Sequence, residues 1–208
     1  CLWSDNLVIT GRLSKAYPAA VDAANALRSV DLEQQAHDST VYIPSYHAAM
    51  APPPLLTALQ HQHRDLALPW SKEGVKVAGY PLGNPSFVAR TLQCLAESIE
   101  SELPLLGMLP DGLLHFQLVT KCTNNRLPYF LRCVAPSFTA CIAEKVDEGI
   151  WKAIGNYAGF PLWFEHLTAY SDEHVQFRSP IGVGGLGVTP NVVKVTAAFY
   201  VGMSGAFK

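Results

Sequence analysis

The chain has 208 residues, of which 49% are hydrophobic and 15% are charged. This length and this apolar content are typical of one or two small packed domains, and they exclude a disordered or fibrous chain. The formal net charge is −2 and the isoelectric point is about 6.4, so the chain has no overall basic field that would attract nucleic acid strongly.

The chain ends and the cysteines bear on where the protein works. No apolar run reaches the roughly 18 to 20 residues that span a bilayer, and no secretory signal is visible, so we expect an intracellular protein, nuclear or cytoplasmic. Because the sequence begins at a cysteine within an expected strand, we expect it to be a piece of a longer protein. Five cysteines without a Cys-x-x-Cys pair predict reduced, buried thiols rather than disulfides. They are Cys1, Cys94, Cys122, Cys133 and Cys141.

The first eleven residues predict a tight β-hairpin. The apolar pair Cys1-Leu2 precedes the polar turn Trp3-Ser4-Asp5-Asn6, and a β-branched apolar run follows at 7–11. Such a tip can hold the Asp5 carboxylate over a cleft where a metal ion meets a phosphate. Asp and Asn also favour hairpin tips because they hydrogen-bond their own backbone, and this is the alternative interpretation of Asp5.

The next part of the chain predicts a helix between strands. The expected boundary between two subdomains follows, which divides the chain into residues 1–83 and 84–208. The predicted elements are a helix at 14–28 capped by Ser14, a strand at 40–43, a helix that opens at Pro52-Pro53-Pro54 and runs to Gln62, and a strand between glycines at 74–83 that leaves through a Pro/Gly turn.

After this boundary the sequence predicts a bundle of helices. Apolar residues recur at helical spacing, and prolines or capping side chains stand where the runs begin. The run after Asp111 is apolar on most sides, so we expect it to lie centrally in the bundle. The dense glycines at 179–187 predict a loop. The predicted helices begin at Asn84 or Ser86, at Pro110-Asp111 and at Pro136-Ser137, and then span 162–175 and 190–203.

One stretch of the helical part is basic. Between Gly112 and Ala143 there is no acidic residue, whereas Lys121, Arg126 and Arg132 occur there together with amide and aromatic side chains. Such a surface is suited to follow a nucleic-acid backbone. The alternative is an ordinary solvated helix end, where Lys121 near a C-terminus interacts favourably with the helix dipole.

Two histidines raise a metal hypothesis. His61 and His63 flank Gln62, and on a helix their side chains diverge. No third ligand at a clear spacing lies nearby, so we expect surface histidines rather than a zinc site. A metal-dependent hydrolase using both of them is the weakest of the hypotheses.

The order of these motifs resembles the palm-to-thumb part of a retrotransposon reverse transcriptase, an RNA-directed DNA polymerase. The tip Trp3-Ser4-Asp5-Asn6 is similar to the aromatic-x-Asp-Asp hairpin of that family, with Asn6 in place of the second acid. The glycine-proline block at 74–83, the stretch at 125–132, the helix start at Pro136 and the glycines at 184–187 continue the resemblance over nearly the whole chain.

The resemblance implies roles for particular residues. In the family, the first Asp of the hairpin and an upstream Asp hold two Mg²⁺ ions, so Asp5 is implied as a metal ligand and Asn6 as a degenerate one. The upstream acid is absent, and we therefore expect Mg²⁺ only within an intact polymerase. The thumb is implied to touch a primer–template duplex through Lys121, Arg126 and Arg132.

These patterns together predict an α+β chain. A small palm-like β-hairpin and strand–helix–strand part precedes a mostly α-helical, thumb-like bundle. The expected function is a reverse-transcriptase fragment that is inactive alone and touches nucleic acid weakly, with the missing N-terminal polymerase domains or another protein as its partner. The alternative is a helical protein-interaction module without catalysis, favoured by the low charge and the high apolar content.

Overall fold

The computed structural model describes residues 7–32, 39–44, 54–64, 68–159 and 172–206. Of the described residues 66% are helical, and short strands form two small two-stranded sheets. The α+β class predicted from the sequence is therefore confirmed. The chain divides into two compact units, Cys1–Val88 and Ala89–Lys208.

The first unit contains helix α1 (Leu13–Arg28) and helix α2 (Pro54–Gln62). The expected positions of both helices are confirmed. Ser14 is not the cap of α1, because Arg12 occupies the N-cap position and makes no side-chain capping bond. Tyr17 of α1 packs with two leucines of α2 in a small buried cluster. This burial of apolar surface stabilises the pair of helices.

Two short sheets complete the first unit. Strand β1 (Val41–Tyr42) pairs in parallel with β2 (Trp70–Ser71), whereas β3 (Gly74–Val77) pairs in antiparallel fashion with β4 (Tyr80–Gly83). The strand expected from Gly74 is therefore present, but the Pro/Gly turn expected at its end is wrong, because residues 80–83 form the second strand of a hairpin. The chain reverses at Ala78-Gly79, where both φ angles are positive, at 48° and 83°, as a tight two-residue hairpin turn requires.

Asn84 connects the hairpin to helix α3 (Pro85–Leu106). Its Oδ1 accepts a hydrogen bond of 2.8 Å from the Phe87 backbone N–H, so Asn84 rather than Ser86 caps the helix. The Phe87 ring lies against Gly74, and a Cβ atom at Gly74 would clash with that ring. Because residue 74 is a glycine, the hairpin can pack closely against the start of α3.

The described part of the second unit is helical. The starts expected at Asp111 and Pro136 are confirmed, and so is the loop after residue 183. The helix predicted at 162–175 falls mostly on residues outside the described ranges. The elements that follow α3 are α4 (Gly112–Gln117), a π-helix (Leu118–Thr123), α5 (Arg126–Leu131), α6 (Pro136–Tyr157), α7 (Asp172–Arg178), a 3-10 turn (Ile181–Val183) and α8 (Asn191–Ala206).

Helix α6 forms the centre of this unit. It packs against α8 and α5, and Val146 and Ile150 on its inner face are buried. The expectation that the run after Asp111 lies centrally is wrong for its first turn, because Leu113 and Leu114 are 67% and 43% exposed. An apolar side chain does not reveal by itself which face of a helix meets the core.

The cysteines also depart from their prediction. Each of the four in the described ranges is a free thiol with an exposed side chain; they are Cys94, Cys122, Cys133 and Cys141. Their apolar sequence neighbours suggested burial. In a helix, however, the residues adjacent in sequence point to other faces, so those neighbours can be buried while the cysteine faces solvent.

Candidate nucleic-acid interface

The hairpin residues with a predicted role in metal binding, Asp5 and Asn6, lie outside the described residues. Residues 7–10, expected to form the second strand of that hairpin, adopt no regular secondary structure. Within the described ranges, no group of three or more His, Cys, Asp or Glu residues is placed to hold a metal ion. His61 is exposed on α2, and the His63 ring lies 6.2 Å from that of Tyr17.

The three basic residues lie on one helical segment, which α4, the π-helix and α5 form in succession. Asp111 starts it, because its Oδ1 accepts a 3.0 Å hydrogen bond from the Leu114 backbone N–H. His115 then anchors α4. Its Nδ1 donates to the Leu106 carbonyl at 2.9 Å, and its ring stacks on Tyr157 with 4.1 Å between centroids.

The π-helix alters the register of the segment just where Lys121 lies. The Asn124 N–H donates to the Val119 carbonyl five residues earlier, at 2.9 Å. The Asn125 side chain donates to the Lys121 carbonyl at 2.8 Å. Single π turns are rare and occur frequently at functional sites, because they re-aim the side chains that follow. No pattern in the sequence predicted this turn.

Lys121 and Arg132 are exposed to solvent, at the π-helix and just after α5. Neither of them has an acidic partner among the residues that the structure describes. They are eleven positions apart, which corresponds to at most about 16 Å along a helix. That span covers several phosphates of one DNA strand, which recur about every 3.4 Å along the axis.

Arg126 differs from the other two basic residues. Its Nη1 lies 2.6 Å from Oε2 of Glu102 on α3, and its Nη2 donates to Ser98 Oγ at 3.3 Å. Ser98 Oγ in turn donates to the other oxygen of Glu102 at 3.1 Å. We call these three side chains the Glu102 cluster. The sequence placed Arg126 in the basic stretch but could not show its acidic partner 24 residues away.

A second polar cluster is buried where α6 meets the start of α8. Asp147 accepts hydrogen bonds from the backbone N–H groups of Asn191 and Val192 at 2.8 and 2.9 Å, and from Asn191 Nδ2 at 2.8 Å. Asn191 Nδ2 also donates to Asn124 Oδ1 at 2.7 Å. We call Asp147, Asn191 and Asn124 the Asp147 cluster. Its carboxylate caps a helix that begins 44 residues further along the chain.

The pKa values of Asp147 and of the nearby Lys194 are shifted. Burial raises the pKa of the Asp147 carboxyl, whereas the hydrogen bonds from Asn191 and Val192 and the charge of Lys194 lower it in part. Burial lowers the pKa of Lys194, and the nearby Asp147 opposes this. Asn124 is one of the amides in the basic stretch, which the sequence suggested would form part of an exposed surface. The cluster instead holds it inside the unit, at 5% exposure.

One feature of the sequence could have revealed this cluster. At helical spacing, Asp147 falls on the same face of α6 as the apolar residues Ala143, Ile150 and Ile154. An acid in the middle of an apolar face requires a buried partner, because an isolated buried charge is costly. The identity of that partner could not be inferred from spacing.

Comparison with known proteins assigns no family, since no family model, curated protein or solved structure matches the chain. Nor does any helix in the described ranges combine the length and the apolar character needed to cross a bilayer. The functional proposal therefore rests on the resemblance of the sequence and on the geometry of the second unit.

Proposed function

We propose that this chain is a palm-to-thumb part of a reverse transcriptase of the retrotransposon kind, and that its helical unit touches the backbone of a primer–template duplex. The single observation that supports contact is the acid-free stretch between Gly112 and Ala143, in which Lys121 and Arg132 present exposed charges. Cationic side chains of this kind contact phosphates irrespective of base sequence.

Catalysis by the isolated chain is not part of the proposal. The resemblance supplies one carboxylate, Asp5, and Asn6 in place of the second acid. One carboxylate does not hold Mg²⁺ tightly without substrate phosphates. We therefore expect no nucleotide incorporation by this chain alone, and Mg²⁺ chemistry only where a second acid is supplied from elsewhere. Incorporation by the purified chain would contradict this.

Binding to a labelled duplex as a function of salt tests the proposal. We expect weak binding whose logarithm falls linearly with the logarithm of salt concentration, because bound phosphates release counterions. Replacing Lys121 and Arg132 with Ala should reduce the slope by about 0.9 for each phosphate that is no longer neutralised, and equally for duplexes of different sequence.

The control for this experiment is Lys76→Ala, which removes an exposed lysine from β3 in the other unit. It changes the net charge without touching the basic stretch. If the control weakens binding as much per charge removed as the pair of substitutions does, or if the loss depends on base sequence, backbone contact by Lys121 and Arg132 is wrong.

A protein-interaction module is the second candidate, and helix α8 favours it. Val193, Tyr200 and Val201 on α8 are 58%, 68% and 69% exposed, an apolar exposure that suits burial against a partner. The same salt titration separates the two functions. A response to primer–template that is weak and insensitive to salt would favour the interaction module.

A further inference from the structure

The Glu102 cluster bears directly on how the basic stretch would bind. Arg126 lies between Lys121 and Arg132 in the sequence, yet its guanidinium is already engaged by a carboxylate and a hydroxyl of α3. A guanidinium has five N–H donors in a planar fork that matches carboxylate and phosphate alike. The structure uses two of those donors, so a phosphate and Glu102 would compete for one side chain.

The exposure of this ion pair makes such competition feasible. The side chains of Arg126 and Glu102 are 36% and 45% exposed, so both are reached by solvent. When the pair separates, water can hydrate the released carboxylate, and no charge is left buried without a partner. A buried pair would instead resist exchange, because the abandoned carboxylate could not be solvated.

We propose that Glu102 is an intramolecular competitor that holds Arg126 away from nucleic acid, and that Arg126 contacts a phosphate only after it leaves Glu102. This inference rests on the proposed function of the basic stretch. Lys121 and Arg132 then provide the contacts that the wild type makes with a duplex, and Arg126 adds a third only when its bonds to Glu102 and Ser98 are removed.

The test is duplex binding by Glu102→Gln across a salt series. Freeing Arg126 should tighten binding at low salt and steepen the salt dependence by about 0.9, equal to one phosphate contact. Between 50 and 200 mM salt, the variant should therefore lose roughly three- to fourfold more affinity than the wild type. Thermal unfolding verifies that the variant is folded; a variant that does not fold would show that Glu102 is structural and would overturn the competition.

Helix α3 offers a matched control. Glu100 pairs with Lys145 Nζ at 3.2 Å, and the two side chains are 38% and 39% exposed. Glu100→Gln therefore removes the same charge from the same helix at a similar exposure, without freeing Arg126. The double variant Glu102→Gln/Arg126→Gln should bind like Arg126→Gln alone, because the gain requires the guanidinium.

The outcomes separate this inference from the proposed function. If the wild type binds the duplex and Glu102→Gln binds no better, the competition is wrong while backbone contact stands. If Glu100→Gln and Glu102→Gln tighten binding equally, only net charge matters, and the competition is again wrong. If neither the wild type nor Glu102→Gln binds at low salt, the proposed function fails and the inference falls with it.

Discussion

The second unit contains two polar clusters of similar composition and opposite setting. In the Asp147 cluster a carboxylate, two amides and two backbone N–H groups are buried, and Asp147 and Asn191 are 7% and 0% exposed. In the Glu102 cluster a carboxylate, a guanidinium and a hydroxyl join two helices at the surface. Each cluster holds two helices together through a single acid, but only the Asp147 cluster excludes water.

This difference in burial determines which cluster stabilises the fold and which one can exchange its partners. A buried carboxylate cannot leave its donors without stranding them in an apolar setting, so the Asp147 cluster is a fixed part of the fold. A surface ion pair gains little because water competes for both partners. The Glu102 cluster therefore opens at little cost in free energy, and it is the one that a ligand can rearrange.

The largest expected effect comes from removing the buried acid. Asp147→Ala leaves the backbone N–H groups of Asn191 and Val192 without their acceptor, so we expect the free energy of unfolding to fall by about 3 kcal/mol. Chemical denaturation measures this change. Glu144→Ala, which removes an exposed acid from the same helix, should alter it by less than about 0.5 kcal/mol. Equal effects of the two substitutions would show that the burial of Asp147 does not account for its contribution to stability.

A smaller effect concerns pH. Because burial raises the pKa of Asp147 in the folded state, the part of its contribution that depends on protonation is present below the unfolded pKa and is lost as the pH rises through the folded value. The stability difference between the wild type and Asp147→Asn should therefore be greatest in acid and shrink toward neutral pH. Unfolding curves at several pH values test this. A difference that grows with pH would show that the hydrogen bonds outweigh burial.

The smallest effect belongs to the surface cluster. Glu102→Gln should change the free energy of unfolding by less than about 1 kcal/mol, since exposed ion pairs contribute little. Glu100→Gln, which opens the pair with Lys145, should behave alike in the same denaturation experiment. A loss with Glu102→Gln as large as that with Asp147→Ala would mean that the Glu102 cluster is structural, and its exchange with phosphate would be untenable.

Local sequence patterns predicted elements whose causes are local. Asn84 and Asp111 were expected to start helices, and each caps its helix through a bond to a backbone N–H three residues later. Pro136 starts α6 for a similarly local reason, because its fixed φ suits the first turn. The predictions were wrong where the outcome depended on a distant contact or on which face of a helix meets the core. The thiol of Cys141 on α6, for example, was expected to be buried but is exposed.

The candidate interface was predictable only in part. The absence of acids from residue 112 to 143 is visible in the sequence and marks Lys121 and Arg132 as available charges. The sequence could not show that Arg126 is engaged by Glu102 or that Asn124 is buried, because both facts depend on residues far along the chain. The tertiary structure was therefore needed to distinguish the available charges of Lys121 and Arg132 from the engaged Arg126 and the buried Asn124.

The sequence alone determined the class of the fold, most of the helix starts and the basic stretch, since each follows from composition or from the spacing of residues along one segment of the chain. The tertiary structure decided which acid pairs with which base and which amide side chains are buried. It also decided where the π-helix forms and changes the direction of the Lys121 side chain. The first two outcomes depend on contacts between residues 24 to 67 positions apart, about which neighbouring residues carry no information.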